Sequence, residues 1–370
     1  MRLSRLAVHA IARLDRSVRE RVLRRTGLDI SRPTYVQFVL TERCNYKCDY
    51  CSHWRMDKYS DEMSLADWTT AIVDLKKLIN PLAIDFTGGE PTIHPDFLEI
   101  VEFCRAHGVD WFMTTNGSAL TRHRFVQHLV ASRPIKIDIS VDSASDDIHD
   151  VVRGVPGSLG RIEHGLRMLV SERNKTRLDF PVRIKVTVHR MNAGRLAPIV
   201  EWARRAGATA VDFNPVGGLW RKEQMERLAI REPRDIEILQ EEVQKLIEQK
   251  SRGAPIETST ASLLSMIEHF SGGLTYGAAP CRDPVRNFIV NPRGDVRGCG
   301  CSSAFGNVRK QTAKQIWAGE VAKAARIKSL GCSLQVAVSS GKSSCMARKS
   351  IGDDIRRAML LMGFGARRVQ

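Results

Sequence analysis

The feature that most constrains this chain is a regular alternation of strand and helix patterns over residues 35–217. Apolar, β-rich runs fall at 35–41, 83–87, 111–115, 135–140, 182–188 and 210–214. Between them, helical periodicity marks 64–79, 95–107, 121–132, 158–171 and 193–205. Ser64 is placed to cap its helix, with Asp67 at the third helical position, and Gly108 and Gly207 close two others. Strands alternating with helices through short connections imply parallel strands and right-handed crossovers. A doubly wound sheet and a barrel both satisfy that pattern. Either places chemistry at the carboxyl ends of the strands, where polar and Gly residues gather at 87–90, 115–117, 140–142 and 214–217.

Charge is uneven. Residues 1–34 hold nine Arg and three acids, and residues 301–370 hold thirteen basic residues and three acids, so these ends carry the whole net charge of +16. A neutral body argues against a nucleic-acid groove through the middle. Hydrophobic residues at 43% exclude a chain disordered throughout. No run of about 18 uncharged apolar residues occurs, and no secretory signal is recognisable, so a cytoplasmic protein is expected.

Nine cysteines without an export signal argue for metal ligands over disulfides. Cys44-x3-Cys48-x2-Cys51 follows the first expected strand, led in by Thr41, Glu42 and Arg43, with Tyr50 directly before the last cysteine. Thiols at this spacing can converge on one cluster. Three ligands leave one iron of a [4Fe–4S] cluster open for a substrate or cofactor. A zinc knuckle or buried, inert thiols are the plainer alternatives.

The Cys-x3-Cys-x-aromatic-Cys loop after a first strand resembles the signature of radical S-adenosylmethionine (SAM) enzymes, and further motifs agree in order over about residues 35–217. The resemblance implies an α/β fold, a partial (β/α)6 barrel of TIM type, which decides between the two architectures. It implies that the open iron chelates the amino and carboxylate groups of SAM. One electron then splits SAM to methionine and a 5′-deoxyadenosyl radical, which abstracts a substrate hydrogen. Thr87-Gly88-Gly89-Glu90-Pro91 is similar to the family motif that holds the SAM amino group. Its two glycines permit close approach of a ligand, and Glu90 can accept from an ammonium. By the same resemblance Asn116, Ser140 and Asp142 lie where SAM is contacted. Arg153-Gly154 resembles an Arg-Gly pair reaching toward SAM, Asn192 matches a strand-then-Asn pattern, and Asn214-Pro215 falls near the adenine side. Asp85, Lys136, Asp138, Lys185 and Thr187 are polar strand residues whose direction the sequence does not sort, and no general acid or base is named.

Beyond 217, helices are expected at 233–250, 261–270 and 313–329, and a hairpin at 288–296 turning at 292–294. Cys281-x12-Gly294-x4-Cys299 resembles the opening of an auxiliary iron–sulfur region of SPASM or twitch type, as do Gly306-Asn307-Val308 and Ile316-Trp317. That implies a second, auxiliary [4Fe–4S] cluster completed by Cys332 and Cys345. The dense cysteine block of a full SPASM domain is absent, so the shorter twitch form fits better. Cys301 is an alternative to Cys299, and Cys104 reads as a core thiol.

Five segments follow: a basic helix at 1–34, the core at 35–217, helices and a linker at 218–277, the auxiliary region at 278–348 and a basic tail at 349–370. The amphipathic ends suit docking on the body, or peripheral contact with an anionic membrane. The implied partners are an electron donor such as flavodoxin or ferredoxin and a substrate that is a small molecule or a peptide. With no room before residue 35 for a peptide-recognition domain, a peptide would come with a separate leader-binding partner. A non-enzymatic iron–sulfur or zinc redox protein is the competing reading.

Overall fold

The computed structural model describes residues 5–56, 60–217, 222–271, 283–299 and 302–330; of these, the side chains of 5–13, 16, 17 and 330 are not described. A basic helix, α1 (Arg5–Thr26), leads into β1 (Tyr35–Val39), α2 (Leu65–Leu78), β2 (Ala83–Thr87), α3 (Phe97–Ala106), β3 (Asp110–Thr115), α4 (His123–Ala131) and β4 (Lys136–Ser140). Then come α5 (Asp146–Arg153), α6 (Ser158–Lys175), β5 (Val182–Val188), α7 (Ala197–Arg205), β6 (Ala210–Pro215), α8 (Lys222–Leu228), α9 (Pro233–Ser251) and α10 (Thr260–Phe270). The chain closes with α11 (Asp283–Arg286), β7 (Asn287–Val290), β8 (Asp295–Arg297), β9 (Gly306–Asn307), α12 (Ala313–Ala318) and α13 (Glu320–Leu330).

β1 to β6 pair in sequence order, all parallel, into an open, mostly parallel sheet: the partial barrel expected. Strand alternation divides its residues into two faces. Val36, Phe38, Ile84, Phe86, Trp111, Met113, Ile137, Ile139, Ile184 and Val186 join the helices in one core. Phe38 packs 4.9 Å from Trp68 of α2, and Phe86 meets Phe97 of α3 edge-on at 6.3 Å. Each such fully buried ring contributes about 2–3 kcal/mol. The opposite, inward face carries Tyr35, Gln37, Asp85, Lys136, Asp138, Arg183, Lys185, Thr187 and Asp212. Ser64 and Asp67 form the full capping box at the start of α2.

Three features differ from expectation. The hairpin foreseen at 288–296 is not separate from the core: β7 pairs parallel with β1, from Tyr35↔Asn287 to Phe38↔Val290, and β8 and β9 follow antiparallel. Its turn does use Gly294, at φ 86°. The helix expected over 313–329 is two, broken where Gly319 turns extended after α12 buries Ile316 and Trp317. The short helices α5 and α8, of 8 and 7 residues, go beyond the elements expected, because about two turns carry little periodic signal.

The C-terminal helices clamp the N-terminal segment. Trp317 Nε1 donates to Ser31 O at 2.9 Å, and Arg326, stacked 4.4 Å over Trp317, pairs with Asp29 at 2.6 Å. Glu20 of α1 pairs with Arg286 at 2.8 Å and Leu23 is buried, so the last turns of α1 dock while Leu14 and Val18 stay exposed. Among the described residues no helix is long and apolar enough to cross a membrane. Cys281, Cys301, Cys332, Cys345 and the basic tail lie outside the described residues.

Candidate functional site

The cysteine loop is bound to the rim of the sheet by backbone bonds. Leu40 N donates to Thr87 O at 3.0 Å, Gly89 N to Thr41 O at 2.8 Å and Glu90 N to Arg43 O at 2.9 Å, so the β1–β2 ladder runs on into the loop. The close approach at Gly88-Gly89 is therefore made by the protein's own chain. A Cβ on Gly89 would lie 2.0 Å from Arg43 O, and one on Gly88, at φ +146°, 2.4 Å from Thr41 O. The loop's own packing thus requires glycine at both positions. The far side of the loop is held by Lys47 N to Arg153 O at 3.2 Å and Asp49 N to Val152 O at 2.8 Å.

Cys44 and Cys51 are half-buried and Cys48 is buried. Sγ of Cys44 accepts from Tyr46 N at 3.4 Å and from Asn116 Nδ2 at 3.9 Å, and Sγ of Cys48 accepts from Arg153 Nη1 at 3.8 Å. Burial pushes the Cys44 thiol up to about 11 and Cys48 to about 12, and raises Cys51. These thiols ionise at neutral pH only when a bound cation replaces the lost solvation. Among the described residues no three His, Cys, Asp or Glu side chains converge closely enough to share one metal ion. Three thiols on one loop suit a four-iron cube, in which each thiolate would hold a different iron.

Glu90, 1% exposed, ties the end of β2 to the end of β3. Its Oε1 accepts from Thr92 N, Thr92 Oγ1 and Thr115 Oγ1, and its Oε2 from Asn116 N at 2.7 Å. Burial raises its pKa against these donors. Asn116 also donates to Asn45 Oδ1 at 2.8 Å, beside Cys44.

Asp142, fully buried after β4, organises the other half. Its Oδ1 accepts from Arg153 Nη2 and Thr187 N, each at 3.0 Å, and its Oδ2 accepts from Tyr50 Oη at 2.9 Å. Arg153 Nε also lies 2.8 Å from Oδ2, and the guanidinium sits 5.5 Å over the Tyr50 ring. Burial opposes both charges. Arg153 nevertheless holds the Asp142 carboxyl below its usual range, and Asp142, then Tyr50 and Cys48, raise Arg153 well above its own. The side chain of Asn192 is wholly engaged with the backbone: Nδ2 donates to Asp142 O and Thr187 O, and Oδ1 accepts from His189 N. Fully buried, it presents no group to a ligand, and the contact implied for it by the resemblance is replaced by a positioning one. Ser140 and Pro215 end their strands on the same rim, and no hydrogen bond among the described residues joins their side chains to this network.

Two buried histidines were not foreseen. His149 Nδ1 accepts from Asp142 N at 3.2 Å, and His189 lies with its ring centroid 6.1 Å from that of Tyr50. Burial lowers both to about 4, so both are neutral at pH 7. The spacing of His149 and Arg153, one helical turn apart on α5, is the sequence signal that could have linked them. Of the auxiliary cysteines only Cys299 is described; it is half-buried at the end of the β7–β8 hairpin. Gly306-Asn307 forms β9, whose Asn307 Nδ2 bonds Asp295 Oδ1 at 2.9 Å and Arg293 O at 3.0 Å across the hairpin. Cys104 is buried in α3 with burial raising its thiol, a core residue as expected.

Comparison with known proteins agrees with this geometry. The Radical SAM superfamily model matches residues 38–187, and the SPASM model, an iron-sulfur cluster-binding domain, matches 281–345. The "AdoMet-dependent heme synthase" of Methanosarcina barkeri is 27% identical over 299 residues, covering 77% of this chain and 82% of that protein. "Mycofactocin maturase MftC" of Mycobacterium tuberculosis is 30% identical over 184 residues, 50% of this chain and 44% of that protein. The chain thus spans most of the first relative and under half of the second. In fold it is similar to Streptococcus suis SuiB bound to S-adenosylmethionine (TM-score 0.63, 16% identity, 84% of this chain and 71% of that one). It is likewise similar to anSMEcpe with bound AdoMet and a peptide (TM-score 0.62, 16% identity, 89% and 96%). The chain belongs to the radical SAM superfamily, as a member whose core is followed by a SPASM-type iron–sulfur-binding region.

Proposed function

We propose that this enzyme cleaves SAM reductively and uses the product to abstract hydrogen from a peptide, with Cys44, Cys48 and Cys51 holding the [4Fe–4S] cluster. When bound, the cluster and SAM together supply an electron and a 5′-deoxyadenosyl radical. The chain's residues bind, orient and screen. Asn116 and Arg153 steady the Cys44 and Cys48 sulfurs by N–H contacts. Oε2 of Glu90 carries one of the four protein donors and is the oxygen for an ammonium group. Arg153, neutralised by Asp142 and packed on Tyr50, is the cation for a carboxylate, and Ser140 on the rim serves a ribose. Cys281, Cys299, Cys332 and Cys345 would hold an auxiliary cluster, which would supply an acceptor for an electron lost by the substrate in an oxidation.

The observation that carries this reading is the convergence of four separate segments on one loop. Gly89 and Glu90, Asn116, Asp142 and Arg153 all bear, directly or through one residue, on the three-cysteine turn. A peptide substrate is supported by MftC, a maturase, and by the SuiB structure bound to precursor peptide SuiA. A small metabolite is the second reading, because the heme synthase match runs along the greater part of this chain. A flavodoxin or ferredoxin in the cytoplasm, where thiols stay reduced, supplies the electron.

The test is anaerobic reconstitution with iron and sulfide, then dithionite and SAM. Formation of 5′-deoxyadenosine is expected, and the Cys44/Cys48/Cys51→Ala triple variant forms none. Product that persists in that variant refutes the assignment. About four irons remaining in it report the auxiliary cluster, and none removes it.

A further inference from the structure

The last turns of α1 dock through one side of the helix, and its apolar stripe lies on the other. Leu23 is buried and Glu20 meets Arg286. Leu14 lies nine residues before Leu23, which at about 3.6 residues per turn is half-way round the helix. Leu14 and Val18, one turn apart, are 47% and 51% exposed. In sequence the same stripe runs back through Ile11, Ala10 and Ala7. An amphipathic end can place its apolar side on the body or on something outside it, and over these turns the body does not take it.

The charge on that outward side is also uncompensated. All three acids of residues 1–34 are engaged within the protein. Asp15 pairs with Arg19 at 2.8 Å, Glu20 with Arg24 at 3.2 Å and with Arg286, and Asp29 with Arg326. Arg21 and Arg25 follow Leu14 and Val18 by two turns on the same side; both are exposed, with no carboxylate partner among the described residues. The helix α13, from the other basic end of the chain, repeats the arrangement. Its Arg326 and Ser329 face the body, while Val321, Ile327 and Lys328 are exposed.

We infer that the face of α1 formed by Leu14, Val18, Arg21 and Arg25 lies on an anionic lipid bilayer, as a peripheral contact. Exposed arginines alone call for nothing, because water solvates them. The apolar stripe in line with them selects the partner. At a bilayer surface the aliphatic side chains enter the acyl boundary while the guanidinium groups stay among acidic headgroups. A nucleic acid would meet the arginines and leave the stripe in water. A second copy would cover the stripe but set one net-positive face against another. The contact is independent of the radical reaction. α1 meets the body at Arg286, where β7 and β1 begin, and the cysteine loop leaves β1 at its opposite end. The mouth of the barrel therefore stays open.

The test is co-sedimentation of the full, reconstituted chain with two kinds of vesicle, phosphatidylcholine alone and equal parts phosphatidylcholine and phosphatidylglycerol. Wild type is expected to bind the mixed vesicles, to bind the neutral ones far more weakly, and to be released by salt. Arg21→Gln/Arg25→Gln is expected to bind the mixed vesicles about thirty-fold more weakly. Leu14→Ser/Val18→Ser is expected to bind them at least about ten-fold more weakly. Both variants keep the wild-type unfolding midpoint and iron content, because the four side chains are exposed and distant from the cysteine loop. A wild type left in the supernatant overturns the inference, as does equal binding to the two kinds of vesicle. Binding unchanged in either variant overturns it as well; for Leu14→Ser/Val18→Ser that is the result of a purely ionic surface. A wild type that elutes as a dimer, and as a monomer once Leu14 and Val18 are replaced, would assign the face to a second copy and overturn the bilayer contact.

Discussion

At the residue scale, Asp142 determines most of the site's geometry, because it neutralises Arg153 and fixes Tyr50 while fully buried. Asp142→Asn keeps the shape and removes the charge, leaving a buried guanidinium unpaired, a loss of about 3–5 kcal/mol. Urea unfolding of the cluster-free chain measures it, and adding Arg153→Met is expected to recover most of the loss. The two buried histidines set a pH dependence. Their folded pKa values, about 4, lie below the ordinary 6.5. Neutral burial therefore contributes stability that is full above pH 6.5 and is lost as pH falls toward 4, where the unfolded chain binds more protons. The expected loss is up to about 3 kcal/mol per histidine, and His189→Phe removes its share from a pH series of unfolding midpoints. Cys44, Cys48, Cys51, Glu90, Asp142 and Arg153 were legible in sequence because the motif types and spacings are distinctive. The part played by Asn192 was not. An Asn after a strand reads alike whether its amide meets a ligand or, as here, three backbone groups.

At the scale of elements, the rim depends on two chain segments in close contact. Gly89→Ala places a Cβ against Arg43 O, with no side chain able to yield. It is expected to displace the cysteine loop, destabilising the chain by about 1–3 kcal/mol and lowering iron uptake on reconstitution. Gly160→Ala in α6 meets nothing within 4 Å and serves as the control. It raises stability by up to about 1 kcal/mol through helix propensity. Iron analysis beside thermal unfolding separates the two effects. Most strand limits were legible within a residue or two from apolar alternation, as at Ala83–Thr87 and Val182–Val188. The break at Gly319 was not, because apolar spacing continues across it from Ile316 and Trp317 to Ala322.

At the scale of the molecule, the sequence placed a boundary near residue 277, before the auxiliary cysteines. The strand at Asn287–Val290 crosses that boundary by pairing with β1, and the docked α13 ties it to the N-terminal segment. Pairing across sequence-distant segments leaves no local signal, which is why the hairpin read as part of a separate region. A chain ending at residue 277 therefore exposes the β1 edge and loses the Glu20–Arg286 pair. It is expected to aggregate, whereas one ending at residue 330 stays monodisperse; gel filtration decides.

If Cys44, Cys48 and Cys51 hold a cluster whose remaining iron takes SAM, the electronic state of that cluster responds to SAM. Electron paramagnetic resonance of the dithionite-reduced protein, recorded without and with SAM, reads that response. A reduced-cluster signal that changes shape when SAM is added is expected, with the SAM-responsive component gone in the Cys44/Cys48/Cys51→Ala variant. A wild-type signal indifferent to SAM, or a SAM-responsive one that survives in the variant, would contradict it.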